Sequence, residues 1–330
     1  MKRAPIRFAR RALLIVISCA VFQQAGAFAQ QTQRPTQKTT QQAAARTGPQ
    51  GFDTPQQASK TLASAANNFD EGTLIKIFGE QGADLVLTGE LPQDKQRAAD
   101  FSQMAIEKLN TVVDPTNANR AIVYVGDEDW PFPIPLEKRA GKWYFNAQAG
   151  KQEMLFRRIG ANELSAIQIC LGYVDAQNEY AYEPREGYNV NQYAQKIIST
   201  PGTPGLAWQD ADGTWEGPIG ENVAKAIAQG YAPNAQPYHG YYFKVLKGQG
   251  PAAPMAELNY VIEGVMIGGF ALAATPAEYR VTGVKSFIVS NDGIVYEQDL
   301  GPNSLEIFQK MELYNPDKKW QPVPADNLED

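Results

Sequence analysis

Along this chain the spacing of apolar residues changes from a helical to a strand period twice, and that order leaves few architectures open. In the first round Ala58, Leu62, Ala65 and Phe69 recur every three to four residues behind Thr54-Pro55-Gln56-Gln57. There Thr54 can cap a helix, Pro55 suits its first position and Gln57 completes a capping box. A short helix over 73–78 stops at Gly79, and Ala98, Phe101, Ala105 and Leu109 predict a third over 94–110. The period then falls to two, giving strands at 120–125, 133–137 and 142–145, with a turn at Ala140-Gly141.

The second round begins with a helix from Asn162, whose stripe is Leu164, Ile167, Leu171 and Val174 and whose end is marked by Pro184. Residues 185–237 are loop-rich apart from a short helix over 221–229. Strands follow at 241–246, 259–262, 269–273, 286–289 and 294–297, the last two joined through Asn291-Asp292-Gly293 as a hairpin. Asn303 and Glu306 start a closing helix that runs to Met311. Helices followed by antiparallel meanders predict an α+β fold. The expected division is a three-helix domain with an antiparallel sheet over 51–150 and a helix packed on a meander over 151–330.

Ahead of these lies a segment of another kind. Lys2, Arg3, Arg7, Arg10 and Arg11 precede an apolar run over 12–22, and Ala27-Phe28-Ala29 follows as a small-x-small cleavage site. This is the order of a signal peptide, 1–29, so the protein is expected to be exported, and periplasmic in a cell with two membranes. The run is shorter than the roughly 20 apolar residues that span a bilayer, so no membrane span is expected after cleavage. The alternatives are an uncleaved N-terminal anchor or lipid attachment at Cys19, for which Val16-Ile17-Ser18 is a poor lipobox. Residues 30–50, rich in Gln and Thr, read as a disordered linker. Cleavage would take five positive charges from a net charge of -6 and leave -11, which argues against a nucleic-acid partner. Cys170 would then be the sole cysteine, so stability must come from hydrophobic cores rather than a disulfide.

The blocks GDEDWPFPIPL, RRIGANELSAIQICLGYVDAQNEYA, PYHGYYFKVL, VMIGGFALAATPAEY and GVKSFIVSNDGIVYEQDLGP resemble, in order, the exported bacterial family of domain of unknown function 2950. The resemblance covers nearly the whole mature chain and implies no reaction and no catalytic residues. NELSAI, YVDAQNEY, GYYFKVL and FALAATPAEYRVTGVKSFIVSNDGIVY are also similar to the globular heads of type IV pilins, which pack an amphipathic helix on an antiparallel meander. Pilins precede that helix with an apolar anchor. Here a soluble domain ending in Met154-Leu155-Phe156-Arg157-Arg158 stands instead, which argues against filament assembly by that route. In order of elements the first domain resembles the NTF2 and cystatin-like cones.

Candidate sites are few. His239 is the sole histidine, and no serine lies in a nucleophile-elbow pattern, so His239 reads as a packed residue at the start of a strand rather than a catalytic base. Cys170, inside a helical stripe, reads as buried. Zinc lacks ligands. The metal whose chemistry fits is calcium, at Asp210-Ala211-Asp212-Gly213 with Glu216, although the rest of an EF-hand loop is missing and a solvated acidic turn is the alternative. Asp127-Glu128-Asp129-Trp130 sets carboxylates beside an aromatic ring. Adjacent strand residues point to opposite faces, so Asp127, Asp129 and Trp130 read as a binding rim rather than an acid/base pair, with Arg157 and Arg158 as partners for the acids. Tyr238, His239 and Tyr241 make a second aromatic rim. Gly264–Gly269 lacks the Lys-Ser/Thr of a phosphate loop.

The function these residues predict is a non-catalytic binding or assembly module in the cell envelope, for a protein or small ligand, with no cofactor unless calcium. The alternative is a carboxylate-dependent hydrolase of an envelope polymer.

Overall fold

The computed structural model describes residues 48–182, 190–200, 205–230 and 235–324. The signal-peptide reading, nearly all of the linker and Pro184 fall outside the described residues.

The first helices are α1 (Pro55–Asn67), α2 (Glu71–Phe78) and α3 (Leu91–Glu107). Thr54 Oγ1 accepts the Gln57 N–H at 3.1 Å, while Gln57 Oε1 reaches back to Asp53 N at 3.0 Å, one residue before the cap. Asp94, expected at the start of α3, lies inside it and is buried. Its carboxylate accepts from Thr88 N, Thr88 Oγ1, Gly89 N and Arg97, pinning the loop that enters the helix. An antiparallel sheet follows: β1 (Leu109–Asp114), β2 (Asn117–Val125), β3 (Trp130–Pro131), β4 (Leu136–Arg139) and β5 (Lys142–Phe145), in the order β1-β2-β4-β5 with β3 on β2. Ala121, Val123 and Val125 alternate inward along β2 to meet Phe78, Phe101 and Phe145 in a first hydrophobic core. Burying each large side chain there contributes about 1.5–3 kcal/mol.

The helix expected from Asn162 in fact begins at Ala147. This helix, α4 (Ala147–Ala181), is 35 residues long. Asn146 caps it, its side chain accepting from Ala149 N at 3.1 Å. Gly150, which looks like a junction in sequence, is where the helix approaches β4's flank: a Cβ there would lie 2.7 Å from Ile134 Cγ1. The buried stripe farther along is broader than predicted. It takes in Ile167, Cys170, Tyr173, Val174, Gln177 and Tyr180, while Leu164 is exposed.

The remaining elements are the hairpin of β6 (Trp208–Gln209) and β7 (Trp215–Glu216), α5 (Glu221–Gln229), β8 (Tyr241–Leu246), and the small pairs of β9 (Gly248–Gln249) with β10 (Leu258–Asn259) and β11 (Val261–Ile262) with β12 (Val265–Met266). They are followed by β13 (Ala271–Pro276), β14 (Ser286–Ser290), β15 (Tyr296–Gln298), α6 (Ser304–Lys310) and β16 (Gln321–Pro322). The main sheet runs β16-β15-β14-β13-β8, antiparallel throughout. Every residue of β13 and β14 is buried, so both faces of the sheet centre are covered, with α4 packed on both strands and α6 on β13. That makes a second core, and the fold is α+β. Among the described residues no helix is long and apolar enough to cross a membrane.

Candidate functional site

The nine residues expected to bind fall into three places. The first is the turn between β2 and β3. Gly126, at φ +74°, donates its N–H to Met104 O and Lys108 O at 3.0 Å each, fixing the turn to the end of α3. Asp127 is exposed and Asp129, at φ +53°, is exposed and paired with Lys108 Nζ at 2.7 Å. Trp130 is 37% exposed, and the Arg157 guanidinium lies 5.1 Å from its ring centre. Arg157 Nε donates to Glu153 Oε1 at 2.8 Å. Arg157 therefore pairs with Glu153 and stacks on Trp130, instead of pairing with the acids of the turn. A cation over an exposed ring contributes about 0.5–1 kcal/mol. Phe156, its neighbour on α4, is 57% exposed.

The second place is the turn before β8. Tyr238 and Tyr241 exchange two backbone hydrogen bonds, at 2.9 and 3.0 Å, around His239 at φ +46° and Gly240 at φ +73°. Two left-handed residues in succession are the type I′ hairpin geometry. Gly240 is required, since a Cβ would come within 2.7 Å of Asn162 Nδ2 and 2.8 Å of Thr282 Cβ. His239 is not packed as predicted. It stands exposed at the tip, edge-on to the Tyr238 ring with centroids 4.4 Å apart, because the turn pushes its side chain outward. Tyr241, read as part of the same rim, is turned inward. It is 1% exposed, its Oη donates to Lys285 O at 2.8 Å, and burial pushes its phenol well above the usual range.

The third place is the β6–β7 hairpin. Asp210 O accepts the Gly213 N–H and Asp210 N donates to Thr214 O, both at 2.9 Å. Asp212 Oδ1 accepts the Thr214 N–H at 2.9 Å, and that backbone bond, then the Thr214 side chain, holds its carboxyl below the usual range. Of the three residues read as a calcium loop, Asp210, Asp212 and Glu216, Asp212 uses its carboxylate to stitch its own turn. Among the described residues no three His, Cys, Asp or Glu lie together closely enough to hold a metal ion.

A groove of about 360 Å³ between residues 195–198 and β8 and another of about 350 Å³ between α1 and α2 are lined by none of these nine residues. Cys170 is buried as expected, and burial pushes its thiol up to about 12.

Three buried or half-buried polar side chains went unseen in sequence. Glu163 Oε1 accepts from Val284 N at 2.8 Å and Lys285 N at 2.9 Å, tying α4 to the β13–β14 connection. Gln177 clamps Ala194, and Gln249 donates to Pro254 O and Ala256 O while accepting from Tyr260 Oη at 3.1 Å. A single polar residue in an apolar stripe carries no local sign of a partner so far along the chain.

A family model described as "Protein of unknown function (DUF2950)" matches residues 49–323. No curated protein and no solved structure matches.

Proposed function

Because the chain belongs to the DUF2950 family, whose match brings no reaction with it, we propose from its own geometry an exported, non-catalytic module that binds a protein partner through the rim around Trp130. The observation that carries this reading is the stack of Arg157 on a partly exposed Trp130. Tryptophan and arginine dominate the energetics of protein interfaces. The Lys108–Asp129 and Glu153–Arg157 ion pairs hold turn and helix on either side of the stack, so little ordering remains to be done on binding. The basic, apolar and small-x-small segments of residues 1–29 support export to the envelope.

The test is a photo-crosslinker placed at Phe156 in the protein expressed in its own cell envelope. A discrete adduct that disappears with Trp130→Ala is the expected result. An adduct that survives both Trp130→Ala and Arg157→Ala, or no reproducible adduct, overturns the reading.

A further inference from the structure

β8 lies at the edge of the main sheet, and its outer side is paired only toward its ends. The Ala277 N–H donates to Gly240 O at 2.9 Å, and this pair continues the β8–β13 register in which Tyr241 faces Pro276. Hydrogen-bonded and non-hydrogen-bonded pairs alternate in an antiparallel ladder. Tyr242, Lys244 and Leu246 therefore direct their peptide groups to β13, and Tyr241, Phe243 and Val245 direct theirs outward. Tyr241 spends both on Tyr238, and just past the strand Lys247 O accepts the Tyr260 N–H at 3.0 Å. Between those two points the N–H and C=O groups of Phe243 and Val245 have no hydrogen-bond partner among the described residues.

This gap forms one wall of the groove of about 360 Å³, opposite Gln195, Lys196, Ile197 and Ile198. Val245 is half-buried and Phe243 fully buried, so the groove is open at Val245 and closes toward Phe243. Enclosed backbone donors and acceptors are nearly always paired in folded proteins. Here they recur at the two-residue period of a strand, a repeat that an extended polypeptide matches and a compact small molecule does not. Among the described residues two lysines and no acidic residue line the groove. Lys244 Nζ is engaged by Gln309 O and Glu312 Oε1, whereas Lys196 is exposed, with Nζ donating to Thr200 Oγ1 at 2.7 Å.

We propose that this groove is a strand-addition site: a short extended segment of a partner protein joins β8 at Val245 and Phe243, with alternate apolar side chains turned into the groove and a carboxylate over Lys196. It uses none of the residues of the Trp130 rim.

The test displays a library of heptapeptides with alternating apolar positions, half of them carrying Asp or Glu and half Lys, to the purified protein. Acidic members are expected to be selected, and the best of them to slow hydrogen exchange of the Val245 amide at least tenfold. Val245→Pro removes the outward N–H without touching the β13 ladder, and Lys196→Glu reverses the charge at an exposed position. Each should weaken the peptide at least tenfold, and Lys196→Glu keeps the test decisive if the proline variant does not fold. Selection of no peptide, or of Lys peptides as often as acidic ones, overturns the proposal. So do an unprotected Val245 amide and concentration-dependent protection by a second copy of the chain. Crosslinking at Phe156 is read separately, so either reading can fail alone.

Discussion

Gln177 and Ala194 exchange two hydrogen bonds: Gln177 Oε1 accepts the Ala194 N–H at 2.8 Å and its Nε2 donates to the Ala194 carbonyl at 2.9 Å. The same Nε2 donates to Tyr173 Oη at 2.9 Å. One fully buried side chain thus does for a loop residue what a neighbouring strand would do, and it holds the segment beyond α4 against the helix.

Replacing it with an apolar group of similar size, Gln177→Leu, leaves the Ala194 N–H and C=O buried without partners. The expected loss is about 2–6 kcal/mol, given about 1–3 kcal/mol for each of the two stranded groups. Urea unfolding would show it as a lower midpoint at an unchanged slope. A variant as stable as the parent would remove the clamp from the account.

Two glycines of α4 are predicted to answer oppositely to alanine. At Gly160 a Cβ meets nothing within 4 Å, so Gly160→Ala should stabilise by about 0.5–1 kcal/mol through helix propensity. At Gly150 it would lie 2.7 Å from Ile134 Cγ1, and overpacking of about 1–3 kcal/mol outweighs the propensity gain. Melting temperatures of the two variants should move to opposite sides of the parent.

Gly283→Ala is expected to be the more severe clash, since its Cβ would fall 2.1 Å from Tyr241 Oη. Tyr241→Phe removes the oxygen but not the ring carbons at 2.7 and 2.8 Å. The double variant should therefore be more stable than the sum of the single losses implies, by about 0.5–3 kcal/mol. Strict additivity in a thermodynamic cycle would show that the contact is not the cause.

Alkaline pH should unfold the protein from inside. Burial raises the Cys170 thiol from 9.0 to about 12 and raises the phenols of Tyr173, Tyr241, Tyr260 and Tyr314 above their ordinary 10.0. In each case the unfolded chain gives up its proton first, so the stabilisation is fully present below about pH 9 and is lost as pH rises toward the folded values. Urea midpoints at pH 7, 9 and 10.5 should fall in that order, while Cys170 stays unreactive to thiol reagents until unfolding. Rapid labelling at pH 8 in native buffer would contradict the burial of Cys170.

The His239 turn offers a milder test. A left-handed φ of +46° disfavours histidine, and Asn before glycine is the preferred pair in this turn type. His239→Asn is expected to raise stability by about 0.5 kcal/mol, measured by thermal denaturation.

What the sequence discloses is local. The Thr54 cap, α5, β8 and the β14–β15 hairpin follow from capping residues, a helical stripe, alternation and an Asn-Asp-Gly turn, all within a few residues of one another. What it hides depends on distant partners. Gly150 and Gly160 carry the same low helix propensity, and only Ile134 distinguishes them. Tyr241 resembles the half-buried tyrosines beside it until its hydroxyl is seen on Lys285, 44 residues away. Trp130 beside its acids is visible in the sequence, but Arg157 reads as a partner for the acids of that turn because charge is visible in a sequence and stacking is not.

The length of α4 has a mechanical meaning. At 1.5 Å per residue its 35 residues make a rod of about 50 Å. Near Gly150 the rod bears on Ile134 of the first core, and from Ala166 to Tyr180 it forms part of the second. Tension applied across the chain meets one continuous helix along that shaft. Force should therefore register as rupture of packed layers rather than as the bending of a hinge.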